Sequence, residues 1–172
     1  IIGAGPVGLS VLVSLRVAGV REVAVIAKHP AGKKATRALG ASVILDSATP
    51  GLSAEVEAAF GSMPQLVIEC VGKPEAALQA MELVEKEGTV VVVGNCFDEI
   101  SVRPITWILK EITIRGSDGA TPDGFRTVIG WLVEKRFDAS LFLTRVINLD
   151  DLPQTMQSLS ESKNDLKVVV KP

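Results

Sequence analysis

Short runs of β-branched and other apolar residues alternate along the chain with stretches whose apolar residues recur every three or four positions. That alternation predicts a parallel sheet covered by helices on both faces. "PVGLSVLVSLRVAG" aligns Val7, Val11, Leu15 and Ala18 on a helical stripe that stops at Gly19. "EVAVIA" (22–27) predicts a strand, "AGKKATRALGA" a short helix closed by Gly40, and "SVILD" (42–46) the next strand. "LSAEVEAAFG" predicts a helix capped by Ser53 and stopped by Gly61. "QLVIEC" is another strand, and "KPEAALQAMELVEKEG" a helix that starts at Pro74 and buries Ala77, Ala80, Met81 and Val84. "TVVVVG" predicts a fully buried strand and "EITIRGS" an alternating one. "TPDGFRTVIGWLVEKR" predicts a helix capped by Thr121, with Lys135 and Arg136 against its C-terminal dipole.

With Ile1 and Ile2 as the end of a first strand, this makes six strands, the complement of an α/β doubly wound parallel sheet. The remainder changes character. "LFLTRVINLDDLPQTMQSLSESKNDLKVVVKP" predicts strand, helix, strand after the sheet is already complete, so the expected division is 1–136 and a tail 137–172 that serves a neighbouring domain. The opening is short for a buried strand, since only Ile1 and Ile2 precede the glycine turn, with no initiator Met. The expectation is that a portion has been cut away in front of it.

Composition narrows the function classes. Apolar residues make up 47% and charged residues 22%, which predicts a packed globular chain. Lys plus Arg (18) against Asp plus Glu (20) offers no basic excess for a nucleic-acid surface. Every apolar run is broken well short of a membrane span, and no targeting segment is visible. Cys70, Cys96 and the single His29 supply neither a disulfide framework nor zinc-ligand spacing, so a cytoplasmic setting is expected.

The candidate chemistry lies in "GAGPVG". Gly3, Gly5 and Gly8 stand at G-x-G-x-x-G spacing between an apolar strand end and an amphipathic helix. In a Rossmann turn the first glycine allows the tight turn, the second admits a pyrophosphate to the backbone, and the third lets helix and strand pack closely. The amides of Val7 and Gly8 then face the phosphates with the helix dipole behind them, and Pro6 suits a helical turn where its N–H would be unpaired anyway. The bland alternative is a glycine-rich turn with no ligand. The strand–turn–helix context and the strand that follows at the right distance favour a nicotinamide dinucleotide.

The second strand ends at Ala27, ~20 residues past the motif, where an acidic residue would hold both ribose hydroxyls of NAD. Lys28 and His29 follow, with Lys33, Lys34 and Arg37 close behind. Removing the carboxylate removes repulsion toward a 2′-phosphate, and Lys28 supplies a counter-charge. One charge-assisted hydrogen bond of about 1.5–3 kcal/mol predicts NADP(H) as first choice and NAD as second. An ordinary solvated basic face is the competing reading of these cations, and His29 suits either a surface loop or an adenine or phosphate contact.

Taken together, "GAGPVG", "ATRALGASVILD", "LVIECVGKPEAALQAMELVEKEGTVVVVG", "KEITIRGS" and the closing "LKVVVKP" resemble the medium-chain dehydrogenase/reductase family, zinc-type alcohol dehydrogenase group, in order and spacing. The resemblance implies a Rossmann domain set into a GroES-like catalytic domain, and hydride transfer between NAD(P) and an alcohol or carbonyl substrate. It implies that Cys70, Val71 and Gly72 lie beside the cofactor's riboses. It also implies that Val93, Gly94 and Asn95, with Ser117 and Asp118, belong to segments holding the nicotinamide carboxamide. Core packing at strand ends is the other reading of Cys70, Val71 and Val93. The family's catalytic and structural zinc ligands lie before the glycine motif, so zinc enters only through an absent N-terminal domain, and no residue here is a catalytic acid, base or metal ligand. Family members often dimerise through the Rossmann edge, which makes "EITIRGS" and "TWILK", with Trp107, candidates for a homo-oligomer surface.

The fragment alone is expected to bind nucleotide without catalysis. Other readings of the same turn are a nucleotide-sensing regulatory module, a zinc-free quinone or enoyl reductase of the same family, and a methyltransferase. Ala27 is a poor fit to the last, which normally wants an acidic residue there.

Overall fold

A computed structural model describes residues 1–161 and 164–171. Its main sheet is parallel throughout. Strands β1 (Ala24–Ile26) and β2 (Val43–Leu45) pair on one side, and β3 (Leu66–Glu69), β4 (Thr89–Val92) and β5 (Thr113–Gly116) on the other. Ile2 joins the halves, bridging Ile26 and Glu69. Its N–H donates to the Ile68 carbonyl at 2.8 Å and its carbonyl accepts from Cys70 N–H at 2.9 Å, while Gly3 N–H donates to Ile26 at 2.9 Å. The order is therefore β2, β1, Ile2, β3, β4, β5, with the chain reversing its direction of growth on either side of Ile2. That is the doubly wound order, its predicted first strand reduced to one bridging residue.

Helices cover both faces. Helix α3 (Leu52–Phe60) and α4 (Pro74–Leu83) contribute Leu52, Val56, Ala76, Ala80 and Leu83 to a core shared with Ile2, Ile26, Val67 and Val90. A second cluster joins Leu12 of α1 (Pro6–Val17) to Val23 and Val25. Helix α2 (Pro30–Ala38) follows β1, α5 (Ile105–Lys110) precedes β5, and α6 (Pro122–Val133) follows it. Lys110 ties α5 to the end of α4, its ammonium donating to the Met81, Glu82 and Val84 carbonyls at 3.2, 2.5 and 2.8 Å. It satisfies carbonyls that a helix end leaves without intrahelical partners. Trp107 packs there too, its Nε1 donating to Met81 Sδ at 3.4 Å. The tail forms a second, two-stranded sheet in which β6 (Leu143–Asn148) pairs in parallel with β7 (Lys167–Lys171) across α7 (Leu152–Glu161).

Several local expectations change. The buried face of α1 is Gly8, Leu9, Leu12 and Val13, and Val7 is exposed, because the helix turns its smallest residue toward the strand before it. Ser53 is not the cap of α3. Gly51, in the left-handed region at φ 71°, holds that position, while Ser53 lies inside the helix and donates to Glu82 Oε1 at 3.0 Å. Helix α4 stops at Leu83, so Leu83 takes the buried place expected of Met81, which is only half-buried. In β4 only Val90 is fully buried, and β5 is an exposed edge rather than an alternating strand. Thr121 does cap α6, accepting from Gly124 N–H at 3.1 Å. Lys135 and Arg136 fall beyond that helix. Their amides, not their charges, meet its last carbonyls, at Leu132 and Trp131, and the Arg136 side chain reaches back to Val17 O at the end of α1.

Candidate functional site

The turn after Ile2 is built by steric necessity. Gly3 has φ +101°, a backbone that side-chain-bearing residues rarely adopt, and a Cβ there would lie 2.8 Å from Val71 Cγ2. A Cβ on Gly8 would lie 1.9 Å from the Gly3 carbonyl oxygen, so only glycine lets α1 approach the turn this closely. Gly5 differs: nothing stands within 4 Å of where its Cβ would be. The first intrahelical bond runs from Leu9 N–H to Gly5 O at 2.9 Å, with Pro6 at the first helical position. Helix geometry thus leaves the Val7 and Gly8 amides pointing out of the helix start. Close packing governs Gly3 and Gly8, and open space governs Gly5.

That open space belongs to a cleft of about 740 Å³ beyond the carboxyl ends of the central strands. It brings together Gly3, Gly5, Pro6, Lys28, His29, Cys70 and Val71 of the residues singled out in the sequence. Gly8 lies beneath the turn, and Val7, exposed, stands just outside the cleft wall. Ala27 is buried in the sheet, its N–H bonded to Leu45 O at 2.9 Å, which leaves Lys28 as the first charged residue of this segment to reach the cleft. Ser117 and Asp118 are exposed past β5 and line no part of it. Sequence reasoning missed Ser47, Lys73, Gln79, Asp165 and Leu166, which also border the cleft. Lys73 and Gln79 were within reach as neighbours of the "CVG" turn. Nothing local in the tail marks Asp165, whose carboxylate is paired with Arg145 at 2.5 Å.

Gly72, Val93, Gly94 and Asn95 form a tight crossing beside the cleft instead of its wall. A Cβ on Gly94 would lie 2.2 Å from Gly72 N, and one on Gly72 would lie 2.6 Å from the Asn95 carbonyl oxygen. Glu69, fully buried at the end of β3, organises the crossing. Its Oε1 accepts from the Val71 and Gly72 amides at 2.5 and 2.9 Å, and its backbone carbonyl accepts from the Val93 and Gly94 amides at 2.9 and 3.1 Å. One residue thereby fixes the turn that presents Cys70 and Val71 to the cleft.

The cations after β1 do not act as one basic face. Lys33 is a correction to the sequence reading. Its ammonium pairs with Asp46 Oδ2 at 2.5 Å, and it lines no part of the cleft, because α2 turns it toward the end of β2. The Lys33 bond, the Ala48 amide and the charge of Lys28 together hold the Asp46 carboxyl below its usual range. Lys28 and His29 remain exposed at the cleft mouth.

Cys70 lines the cleft as a thiol. Burial, reinforced by the neighbouring Glu69, pushes its pKa up to about 11. Only roughly one thiol in a thousand is then thiolate at pH 8. Iodoacetamide at that pH is expected to label Cys96 well before Cys70, and Cys70 labelling should climb as pH approaches 11. Peptide mass mapping over a pH series reads both sites, and added nucleotide should slow Cys70 further.

Among the described residues, no group of three or more His, Cys, Asp or Glu side chains gathers to hold a metal ion, and no helix is long and apolar enough to cross a membrane. The described residues do not fit a zinc site.

Comparison with known proteins agrees with the fold and gives the family. Residues 6–134 match the family model described as zinc-binding dehydrogenase. The (R,R)-butanediol dehydrogenase of Bacillus subtilis is 28% identical over all of this chain and 50% of its own length. The L-galactonate-5-dehydrogenase of Escherichia coli is 30% identical over 91% of this chain and 46% of its own. The crystal structure of 2R,3R-butanediol dehydrogenase from Bacillus subtilis superposes with a TM-score of 0.88 at 29% identity, covering 99% of this chain and 49% of that one. The chain spans about half the length of the curated relatives it matches.

Proposed function

The chain belongs to the zinc-binding dehydrogenase family, the zinc-type group of the medium-chain dehydrogenases/reductases, and from that premise we propose that it is the nicotinamide-dinucleotide-binding part of an alcohol or polyol dehydrogenase, with NADP(H) preferred. The observation that carries this reading is the turn itself. Gly3 and Gly8 are locked by contact, whereas the space over Gly5 is free and opens onto a cleft whose mouth carries Lys28 and no carboxylate from β1. A backbone shaped this way cradles a pyrophosphate.

When bound, the nicotinamide supplies a two-electron hydride donor or acceptor for interconverting an alcohol and its carbonyl. This chain's residues bind and orient. The Val7 and Gly8 amides take the phosphates, the Val71 side chain forms an apolar wall, and Lys28 faces the 2′-phosphate with His29 beside it. The crossing of Gly72, Val93, Gly94 and Asn95, followed by Ser117 and Asp118, forms the end toward the nicotinamide. Substrate chemistry and any zinc lie with residues outside this chain, and 137–172 serves the junction with them. The free thiols of Cys70 and Cys96 suit a reducing, cytoplasmic setting. The exposed edge β5, with Ile105, Ile108 and Leu109 beside it, suits sheet extension by a second copy.

The test is a calorimetric titration with NADPH and NADH. NADPH should bind at least about tenfold tighter, since one charge-assisted bond at Lys28 contributes about 1.5–3 kcal/mol. Lys28→Ala should erase most of that difference without touching NADH, and Ala27→Asp should shift preference toward NADH. Equal affinities in the unaltered protein overturn the NADP(H) preference, and no binding of either overturns the whole reading.

A further inference from the structure

In the parallel register of β1 and β2, Ile26 stands opposite Leu45, which sets the following residues, Ala27 and Asp46, side by side. The carboxylate that a NAD site carries at the end of β1 is therefore present one strand away. It is not free there. Asp46 Oδ2 holds Lys33 at 2.5 Å, and Oδ1 accepts from Ala48 N–H at 2.9 Å. Both side chains of the ion pair stay about one-third exposed, so the pair is open to solvent. The next residue, Ser47, lines the cleft, as do Lys28 and Gly32 from the neighbouring segment.

We propose that Asp46 sets how strongly this cleft discriminates a 2′-phosphate from a 2′-hydroxyl, by sequestering Lys33 and by placing a negative charge beside Lys28. The inference rests on the nucleotide-binding reading above and adds a specificity-determining residue to it. Lys28, Lys33 and Asp46 interact at this corner. With Asp46 ionised, the charges of Lys33 and Asp46 cancel, and the dianionic phosphate meets Lys28 beside a neutral pair. Neutralising Asp46 leaves the charge of Lys33 uncancelled and so adds one positive charge to the field at the phosphate. A 5′-nucleotide without the 2′-phosphate has nothing to gain from that change.

The experiment titrates the protein with adenosine 2′,5′-bisphosphate and with 5′-AMP at low ionic strength, where exposed charges are least screened. Asp46→Asn keeps an amide oxygen for the Ala48 N–H, and its thermal unfolding without ligand reports whether the fold is retained. Asp46→Asn is expected to tighten the bisphosphate about tenfold while leaving 5′-AMP within twofold. Adding Lys33→Met to it should return much of that gain, and Lys33→Met alone, which leaves Asp46 free to oppose the phosphate, should weaken the bisphosphate several-fold. If Asp46→Asn moves both ligands equally or neither, the assignment of Asp46 is overturned while the nucleotide site stands. If the unaltered protein binds neither ligand, the site reading and this inference fall together. A selective gain in Asp46→Asn from an unaltered protein that treats both ligands alike supports Asp46 and overturns the NADP(H) preference.

Discussion

Gly8→Ala is expected to destabilise the fold by about 3 kcal/mol or more, whereas Gly5→Ala should leave stability nearly unchanged and still cost most of the nucleotide affinity. The contrast follows from what each added methyl meets. On Gly8 it would lie 1.9 Å from the Gly3 oxygen and 2.9 Å from the Gly3 carbonyl carbon, both backbone atoms that cannot rotate away. Relief requires moving α1 off the sheet, which opens the contacts of Leu9 and Leu12. On Gly5 the methyl meets no protein atom, and the residue's φ of −79° suits alanine. Reduced freedom of the unfolded chain could even add up to about 1 kcal/mol. The methyl would instead occupy the space left for a pyrophosphate, lifting it from the Val7 and Gly8 amides. Charge-assisted bonds of about 1.5–3 kcal/mol each make that a loss of tenfold to a hundredfold or more. Urea unfolding of both variants beside nucleotide titration separates the effects. A stable Gly8→Ala protein, or a Gly5→Ala protein with full affinity, would contradict the geometry described.

Glu69→Ala should be the most damaging single change outside the glycine turn, at about 3–5 kcal/mol. The variant strips the acceptor from the Val71 and Gly72 amides and leaves a cavity at a fully buried position. Glu69→Gln keeps an oxygen at the Oε1 position and should fall much less. The two chemical-denaturation midpoints therefore separate the loss of acceptor and bulk together from the loss of charge alone. Comparable losses in both variants would show that the carboxylate's charge matters more than the turn it holds.

The glycine turn was legible because its requirements are local. Spacing, the preceding apolar residues and the amphipathic helix all lie within a dozen residues, and the structure adds only which glycine is closed and which is open. The strand order was legible for a similar reason, since alternating elements with short connections leave few topologies. Most of what failed depended on partners distant in sequence. Lys33 looked like one cation among several because its partner, Asp46, arrives on the next strand. Ser53 looked like a cap because its residue type suits one, but Gly51, two residues earlier, already holds that position. Met81 matched the helical period, yet the stop at Leu83 and the packing of Trp107 gave it a different neighbour. Asp165 and Leu166 border the cleft from the far end of the chain, where no periodicity could place them.

That last feature bears on how the protein acquires its competence. The cleft joins Gly3 and Gly5 to Leu166, segments separated by nearly the whole polypeptide, so its rim closes only after the intervening loops have surrendered their entropy. During refolding, helical signal should return before the protein can recognise a nucleotide, and the interval between the two reports when its last residues find its first.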